Sequence, residues 1–494
     1  MVATSQPLAT QAGLRALERG GNAVDAALAA AAVLCVVEPM STGIGGDCFS
    51  LVWRDGELSG LNASGRAPAA ADPDAMGAAM PLRGPLTVTA PGAVAGWAAL
   101  AERHGRLGLD RALADAIDIA ERGFAVTPVI ASYWAAAASA LAGFEEAARV
   151  YLPAPPVGQI ARAPELATTL RRIASEGPAG VYEGAVADAI CAVTPLTPDD
   201  LAVAHAEWVE PLRRRYRGVE VCEIPPNGQG VAALQALGIL DGIEHTAGSP
   251  LDRVHLQAEA MKLAFADAER HVHDGPLPER YLDEEYLATR RVLIDAAHAG
   301  APVAGALSAS GTVYLCTVDE DRNACSLIQS VFHAFGSLVV APGTGVVLHN
   351  RGHCFTLEAG HPNRLAPGKR PYHTIIPGML LRDGKLAGPF GVMGGHMQPQ
   401  GHLQVVSHMV DRGLDPQAAL DEPRWRLDSG GRGEWSLALE EPLYGLAPAL
   451  ARRGHRTLCD PHPESFGGGQ VILVRDHALI GGSESRRDGV ALGY

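Results

Sequence analysis

A run of small residues, Ala301-Pro-Val-Ala-Gly-Ala-Leu-Ser-Ala-Ser-Gly311, leads directly into the strand former Thr312-Val-Tyr-Leu-Cys-Thr-Val318. The stretch from Asp274 to Gly311 is rich in Ala, Gly, Pro and Ser and reads as a flexible connector. Signals before it are mostly helical. Ala9 to Leu17 predicts a short helix, Gly20-Gly21-Asn22 breaks it, and Ala23 to Val36 predicts a second that Pro39 ends. The loop Ser41 to Gly46 follows, then a β-hairpin, Phe49 to Trp53 and Glu57 to Leu61, around Asp55-Gly56. From about 90 to 275 the pattern is mainly helical, with loops such as Pro225 to Gly230 and a helix from Leu251 to Arg270 carrying Glu259, Lys262 and Asp267. After the connector come strands: Thr312–Val318, Ala324–Val331, Gly345–Leu348, Gly378–Leu381 and Gln470–Val474. No internal repeat is visible. Helices, then strands, then helices again predict a layered α+β body with central sheets.

With 47 % hydrophobic residues among 494, the chain can bury a large core, which excludes intrinsic disorder. A formal charge of −15 argues against nucleic acid or an anionic membrane as partner. Lysine appears only as Lys262, Lys369 and Lys385; arginine supplies the rest of the 40 basic side chains. The eight cysteines have no CxxC spacing and are too sparse for a disulfide scaffold, so reduced thiols and a cytoplasmic location are expected. The longest apolar run, Ala26 to Val37, is too short to span a bilayer, and Met1 to Pro7 lacks the features of a secretory signal.

Several patterns have bland readings. Gly43-Ile-Gly45-Gly46 follows a helix and lacks the spacing of a dinucleotide fingerprint, so a tight turn suffices. His349, His353 and Cys354 lie in a Gly-rich loop, where the helical spacing of zinc ligands does not apply, and no metal or other cofactor is expected. Gly394-Gly395-His396 reads as a turn, although paired glycine amides can also face an anion. Thr312 is the candidate nucleophile. Cut before it, the chain would expose an α-amine of pKa about 7.7–8.0 beside the hydroxyl, a general base at neutral pH. A strand-initial threonine is equally an ordinary β-former.

Ordered motifs add to this reading. They are Gly20-Gly-Asn-Ala-Val-Asp-Ala26, Glu38-Pro-Met-Ser-Thr-Gly-Ile-Gly-Gly46, Gly65-Arg-Ala-Pro68, Ala90 to Trp97, Glu259 to Asp267, Gly368-Lys-Arg-Pro371, Gly394-Gly395 and Arg486-Arg-Asp-Gly489. In content and order the chain resembles the γ-glutamyltransferase family of N-terminal-nucleophile hydrolases over nearly its whole length. The resemblance implies a four-layer αββα sandwich and a proenzyme that cleaves itself between Gly311 and Thr312. The products would be a large subunit, 1–311, and a small subunit, 312–494, forming one interleaved domain. It further implies that Thr312 attacks an amide, Ser330 supports it, and Gly394 and Gly395 hold the oxyanion.

The substrate positions depart from the family pattern. Ser64 stands where an arginine grips the α-carboxylate of glutamate, and the nearest arginine is Arg66. Cys354 replaces the aspartate that pairs with the α-amine, His373 and Thr374 replace a serine pair, and Phe332 replaces an asparagine. A desolvated ammonium without a partner costs about 3–5 kcal/mol by analogy with a broken buried pair. Arg66, Arg351, His353, His373 and Thr374 are therefore the expected contacts for a carboxylate-bearing amide of oxamate or glutaryl type. Hydrolysis or transfer of γ-glutamyl groups, as from glutathione, is the alternative, and an inactive family member serving as a binding protein is another. The stretches Gln329 to Gly336 and Met393 to Gln400 look most like a bacterial branch with glutathione-hydrolase-like, oxamate amidohydrolase and cephalosporin acylase members. Expected partners are a small-molecule amide and the two subunits themselves; whether processed units pair into a homodimer is open.

Overall fold

The computed structural model describes residues 1–243, 248–303, 311–431 and 433–494. Two sheets dominate. The first has seven strands: β1 (Val2–Thr4), β2 (Asp47–Arg54), β3 (Glu57–Ala63), β4 (Glu207–Val209), β7 (Gly311–Val318), β8 (Ala324–Phe332) and β13 (Val490–Leu492), in spatial order β13-β1-β7-β8-β2-β3-β4. The second has six: β5 (Leu212–Tyr216), β6 (Val219–Glu223), β9 (Gly378–Arg382), β10 (Lys385–Met393), β11 (Gly468–Val474) and β12 (Leu479–Ser483), in order β12-β11-β10-β9-β6-β5.

Strand alternation shows how they stack. Tyr314, Cys316, Val318 and Ile328 of the first sheet share a cluster with Cys222, Met379, Leu381 and Ile472 of the second, so these faces pack together. The opposite faces turn outward. Val313, Leu315, Cys325 and Leu327 meet the helices of residues 7–201. Val221, Leu380, Phe390 and Val471 meet those of residues 230–268 and 397–406. Period-2 alternation thus serves two cores at once, and the architecture is the four-layer αββα sandwich of the N-terminal-nucleophile hydrolases.

Helices α1 (Pro7–Glu18) and α2 (Ala23–Val37) form the expected hairpin. Asn22 and Asp25 close a capping box at the start of α2. All fifteen residues of α2 are buried, because it lies between α1 and the first sheet. The hairpin β2–β3 turns at Asp55 and Gly56, both at positive φ (52° and 85°). Two expectations needed revision. The stretch from about 90 to 275 includes strands β4, β5 and β6, which edge both sheets. The connector holds a helix, Glu284–Arg291, with acidic residues in its first turn and arginines in its last. Its segment 304–310 lies outside the described residues.

Upstream of that segment the connector is tied down. The helix Pro250–His271 presents Glu259, which accepts from Lys262 Nζ (2.8 Å) and from the Gly300 amide (2.7 Å). His255 Nδ1 and His455 Nε2 lie 2.8 Å apart, and His255 Nε2 reaches the Asp295 carbonyl at 2.8 Å. Among the described residues, His255, Glu259 and His455 are the one group with metal-ligand spacing, and their facing atoms already have these partners. No helix among the described residues is long and apolar enough to cross a membrane.

Candidate active site

The site forms where β7 begins. The pairing of β7 with β8 shifts register between Gln329 and Phe332, placing Gly311 opposite Phe332 and bringing Ser330 beside the chain before Val313. Thr312 is 3 % exposed. Its Oγ donates to the Gly311 carbonyl (2.8 Å) and lies 3.2 Å from Ser330 Oγ. Ser330 Oγ donates to the same carbonyl (2.7 Å) and accepts the Phe332 amide (2.8 Å). Two hydroxyls therefore polarise the carbonyl immediately before Thr312. Gln398 Nε2 approaches Thr312 Oγ at 3.5 Å, while Gln398 Oε1 accepts the Ile376 amide (3.0 Å).

Gly394 and Gly395 join β10 to the helix α3 (Met397–Asp411). Their carbonyls face that helix, accepting from Met397 N and Gln398 N at 3.1 Å each. In a trans peptide the next N–H points the opposite way, so the Gly395 amide is directed away from α3. Both residues have positive φ (126° and 63°), and a Cβ on Gly394 would stand 3.1 Å from Gly467 Cα. Gly394, Gly311 and Thr312 line one cavity of about 390 Å³, together with Glu38, Ser41, Arg83, Tyr133 and His333.

A second cavity, of about 680 Å³, lies across Phe332 and is lined by Phe332, His353, Cys354, Tyr372 and His396. Phe332 has φ 75°, a strained value for a non-glycine residue. Its ring covers Arg351, whose guanidinium carbon is 4.1 Å from the ring centre. Arg351 is fully buried and has no ion-pair partner among the described residues. Nη1 donates to Thr374 Oγ (2.8 Å) and to Cys354 Sγ (3.7 Å), whereas Nε and Nη2 have no partner among the described residues. Burial holds the guanidinium below its ordinary range. It also pushes the Cys354 thiol up, against the pull of Arg351.

Asp47 underlies both regions, opposite Ser330 in the β2–β8 pairing. Its Oδ2 is 2.9 Å from His373 Nε2 and 3.1 Å from His349 Nδ1, all three side chains being fully buried. Burial alone would raise its pKa, but the two imidazoles outweigh that and hold the carboxyl well below the usual range. The Ile375 amide donates to His373 Nδ1 (3.3 Å), so His373 Nε2 carries the proton donated to Asp47. Burial and the neighbouring Arg351 bring the pKa of His373 down to about 3.

The gamma-glutamyltranspeptidase family pattern matches residues 9–494. The glutathione hydrolase-like YwrD proenzyme of Bacillus subtilis is 34 % identical, with 100 % of this chain and 98 % of the relative covered. The oxamate amidohydrolase proenzyme of Klebsiella pneumoniae is 36 % identical at the same coverage. The chain belongs to the gamma-glutamyltranspeptidase family. It is a hydrolase. The crystal structure of a cephalosporin acylase from Bacillus halodurans superposes with TM-score 0.94 at 46 % identity, covering 100 % of this chain and 96 % of that one.

Within this gamma-glutamyltranspeptidase framework, the structure gathers Gly311, Thr312, Ser330 and Gly394 with Gly395, and separately Arg351, Thr374 and His353. Arg66 is brought to neither. It pairs with Asp274 (3.1 Å) and Glu207 (3.2 Å) and donates to the Gly368 carbonyl (3.0 Å), consistent with a structural tie rather than the expected substrate contact. His373 lies beneath the site with both ring nitrogens engaged, which also departs from that expectation. His353 lines the larger cavity and uses Nδ1 on the Pro81 carbonyl (3.0 Å). Sequence reasoning does not reach three residues of the site: Asp47, Gln398 and Gln229. Gln229 Nε2 donates to the carbonyls of Thr374 (2.7 Å) and Gly395 (2.9 Å), linking the Arg351 side to the glycine pair. The signal for Asp47 is a single acid opening the mostly apolar strand Asp47–Arg54, and for Gln398 a glutamine just after the glycine pair.

Proposed function

We propose that the chain is a self-processing amidohydrolase whose nucleophile is Thr312 and whose substrate is an amide bearing a carboxylate on its acyl side. The processing reading is supported by the polarised carbonyl of Gly311, which receives hydrogen bonds from Thr312 Oγ and Ser330 Oγ. Attack of Thr312 Oγ on that carbon and loss of the amide nitrogen give an ester, and water then releases subunits 1–311 and 312–494. The freed α-amine of Thr312, a group that ordinarily titrates near pH ~8, takes the hydroxyl proton in later turnovers.

In turnover the substrate carbonyl occupies the place left by Gly311. Its oxygen becomes anionic only at the tetrahedral stage, where the amides of Gly394 and Gly395 and the Gln398 Nε2 donor favour the transition state over the ground state. Collapse expels the amine and leaves an acyl-Thr312 ester for water to hydrolyse.

The observation that carries the substrate class is Arg351, a buried cation with two nitrogens, Nε and Nη2, unpartnered among the described residues. Phe332 and Cys354 separate it from the larger cavity, so a side-chain rotation opens the guanidinium fork to an acyl carboxylate, with Thr374 and His353 beside it. Cys354 offers no charge to balance an α-ammonium, which disfavours γ-glutamyl compounds. Turnover of glutaryl-p-nitroanilide and oxamate beside γ-glutamyl-p-nitroanilide tests this. Faster turnover of a substrate lacking the α-amine is expected; a clear preference for the γ-glutamyl compound would overturn the assignment.

A further inference from the structure

Cleavage of the precursor poses a proton problem that later turnover does not. Until the Gly311–Thr312 bond breaks, the Thr312 nitrogen is an amide without a basic lone pair, and Thr312 Oγ needs another acceptor. Ser330 directs its hydroxyl at the Gly311 carbonyl, and Gln398 Nε2 is itself a donor. The cavity wall holds a buried carboxyl suited to the role. Glu38 is 4 % exposed, whereas Glu464, the other acid lining this space, has a side chain 41 % exposed.

The position of Glu38 follows from the helix before it. It is the C-cap of α2, and both burial and the negative end of the helix disfavour a charged carboxylate. Burial raises the carboxyl to about 7; Ser5, Arg487 and Ser41 pull it down, and Asp488 pushes it up. Ser5 Oγ donates to Oε1 at 2.5 Å. Tyr133 stands nearby on the helix Pro128–Leu141, its hydroxyl bonded to Arg487. Arg83 and His333 complete the charged and titratable lining.

The turn bearing Glu38 also abuts the scissile bond. The Glu38 carbonyl accepts the amides of Ser41 (2.9 Å) and Thr42 (3.1 Å), and the Ser41 carbonyl accepts that of Val331 (3.2 Å), next to Ser330. A Cβ on Gly311 would lie 3.1 Å from the Met40 carbonyl oxygen and 3.5 Å from Ser41 Cα. The cavity between has room for several waters, at about 30 Å³ each.

We propose that Glu38 is the proton relay for self-cleavage, exchanging protons with Thr312 through water in this cavity. The proton of Thr312 Oγ passes through water to the Glu38 carboxylate as Oγ bonds to the Gly311 carbon. When the C–N bond breaks, Glu38 returns that proton to the departing Thr312 nitrogen. Water then hydrolyses the ester, leaving the Gly311 carboxylate and a Thr312 with free hydroxyl and amine. Atoms balance with water as the only co-reactant. The proposal rests on the self-processing reading above.

The test follows the full-length chain, pulse-labelled in cell-free synthesis and chased at about pH 5.5 to 8.5, a range spanning a group that titrates near neutrality. Wild type is expected to process faster as pH rises through about 7 and then level off. Glu38→Gln keeps size and hydrogen bonding but not proton exchange; its rate should fall about 10²-fold or more and lose that rise. Ser5→Ala removes a hydrogen bond that favours ionised Glu38, so its midpoint should move to higher pH with the plateau retained. This second variant decides the matter if Glu38→Gln misfolds by circular dichroism. Wild-type rates in Glu38→Gln, or an unmoved midpoint in Ser5→Ala, would overturn the relay. A wild-type chain that never yields a fragment beginning at Thr312 overturns the processing reading as well.

Discussion

Replacing Arg351 with methionine should weaken catalysis while leaving the fold as stable as before, or more so. The guanidinium is fully buried, donates from Nη1 to Thr374 Oγ and, more weakly, to Cys354 Sγ, touches the Phe332 ring, and leaves Nε and Nη2 unpartnered among the described residues. Losing the charged hydrogen bond costs about 1.5–3 kcal/mol and the cation–π contact about 2 kcal/mol. Against this, burying the charge costs several kcal/mol, and each unpartnered N–H about 1–3 kcal/mol. These terms favour methionine, which fills similar volume against the same ring. A bound carboxylate loses this buried cation, worth about 3–5 kcal/mol, so kcat/KM should fall by about 10²-fold or more. Glutaryl- and butyryl-p-nitroanilide measured on both proteins separate charge from shape, since only the glutaryl compound should suffer. Thermal unfolding gives the other half. A variant that melts well below wild type yet keeps its preference for the glutaryl compound would refute the reasoning.

Further outcomes follow from the same geometry. Thr312→Ala should remain one band of 51.5 kDa, whereas wild type should give bands of about 32 and 19 kDa, that mass being shared over 494 residues. Gln398→Leu removes a donor to Thr312 Oγ and leaves the Ile376 amide unpartnered, so kcat should fall and thermal unfolding should register a loss of about 1–3 kcal/mol. Asp47→Ala leaves the buried His373 Nε2–H without its acceptor and should destabilise the chain by about 1–3 kcal/mol, read from denaturant unfolding. Acid sensitivity has a defined window. His104 is lowered to about 4, and His333, His373, His408 and His455 to about 3, mainly by burial. The unfolded chain therefore binds more protons below about pH 6.5, so stability falls as pH drops toward 3. Melting temperatures should be level near neutrality and decline below that point; a flat profile down to pH 4 would contradict the burial of these rings.

The parts legible in the sequence were those whose reasons are local. Asn22 and Asp25 announce the start of α2, the alternation at Thr312–Val318 announces β7, and Asp55-Gly56 announces the hairpin. Strand β5 was hidden because Leu212-Arg-Arg-Arg-Tyr216 lies at a sheet edge, where charge is tolerated and apolar pattern is weak. The surroundings of Arg66 were hidden for a different reason. Its neighbours in sequence form a motif, but its partners, Glu207 and Asp274, lie far along the chain and meet it only in the fold. Arg351 shows the converse: its identity was legible, while the absence of partners for two of its donors is a property of packing.

N-terminal sequencing of the purified protein tests the central claim most directly. Two sequences are expected, one of them beginning Thr312-Val-Tyr-Leu. A single sequence from an intact chain that still turns over amides would contradict the account, because the nucleophile would then be working without its free amine.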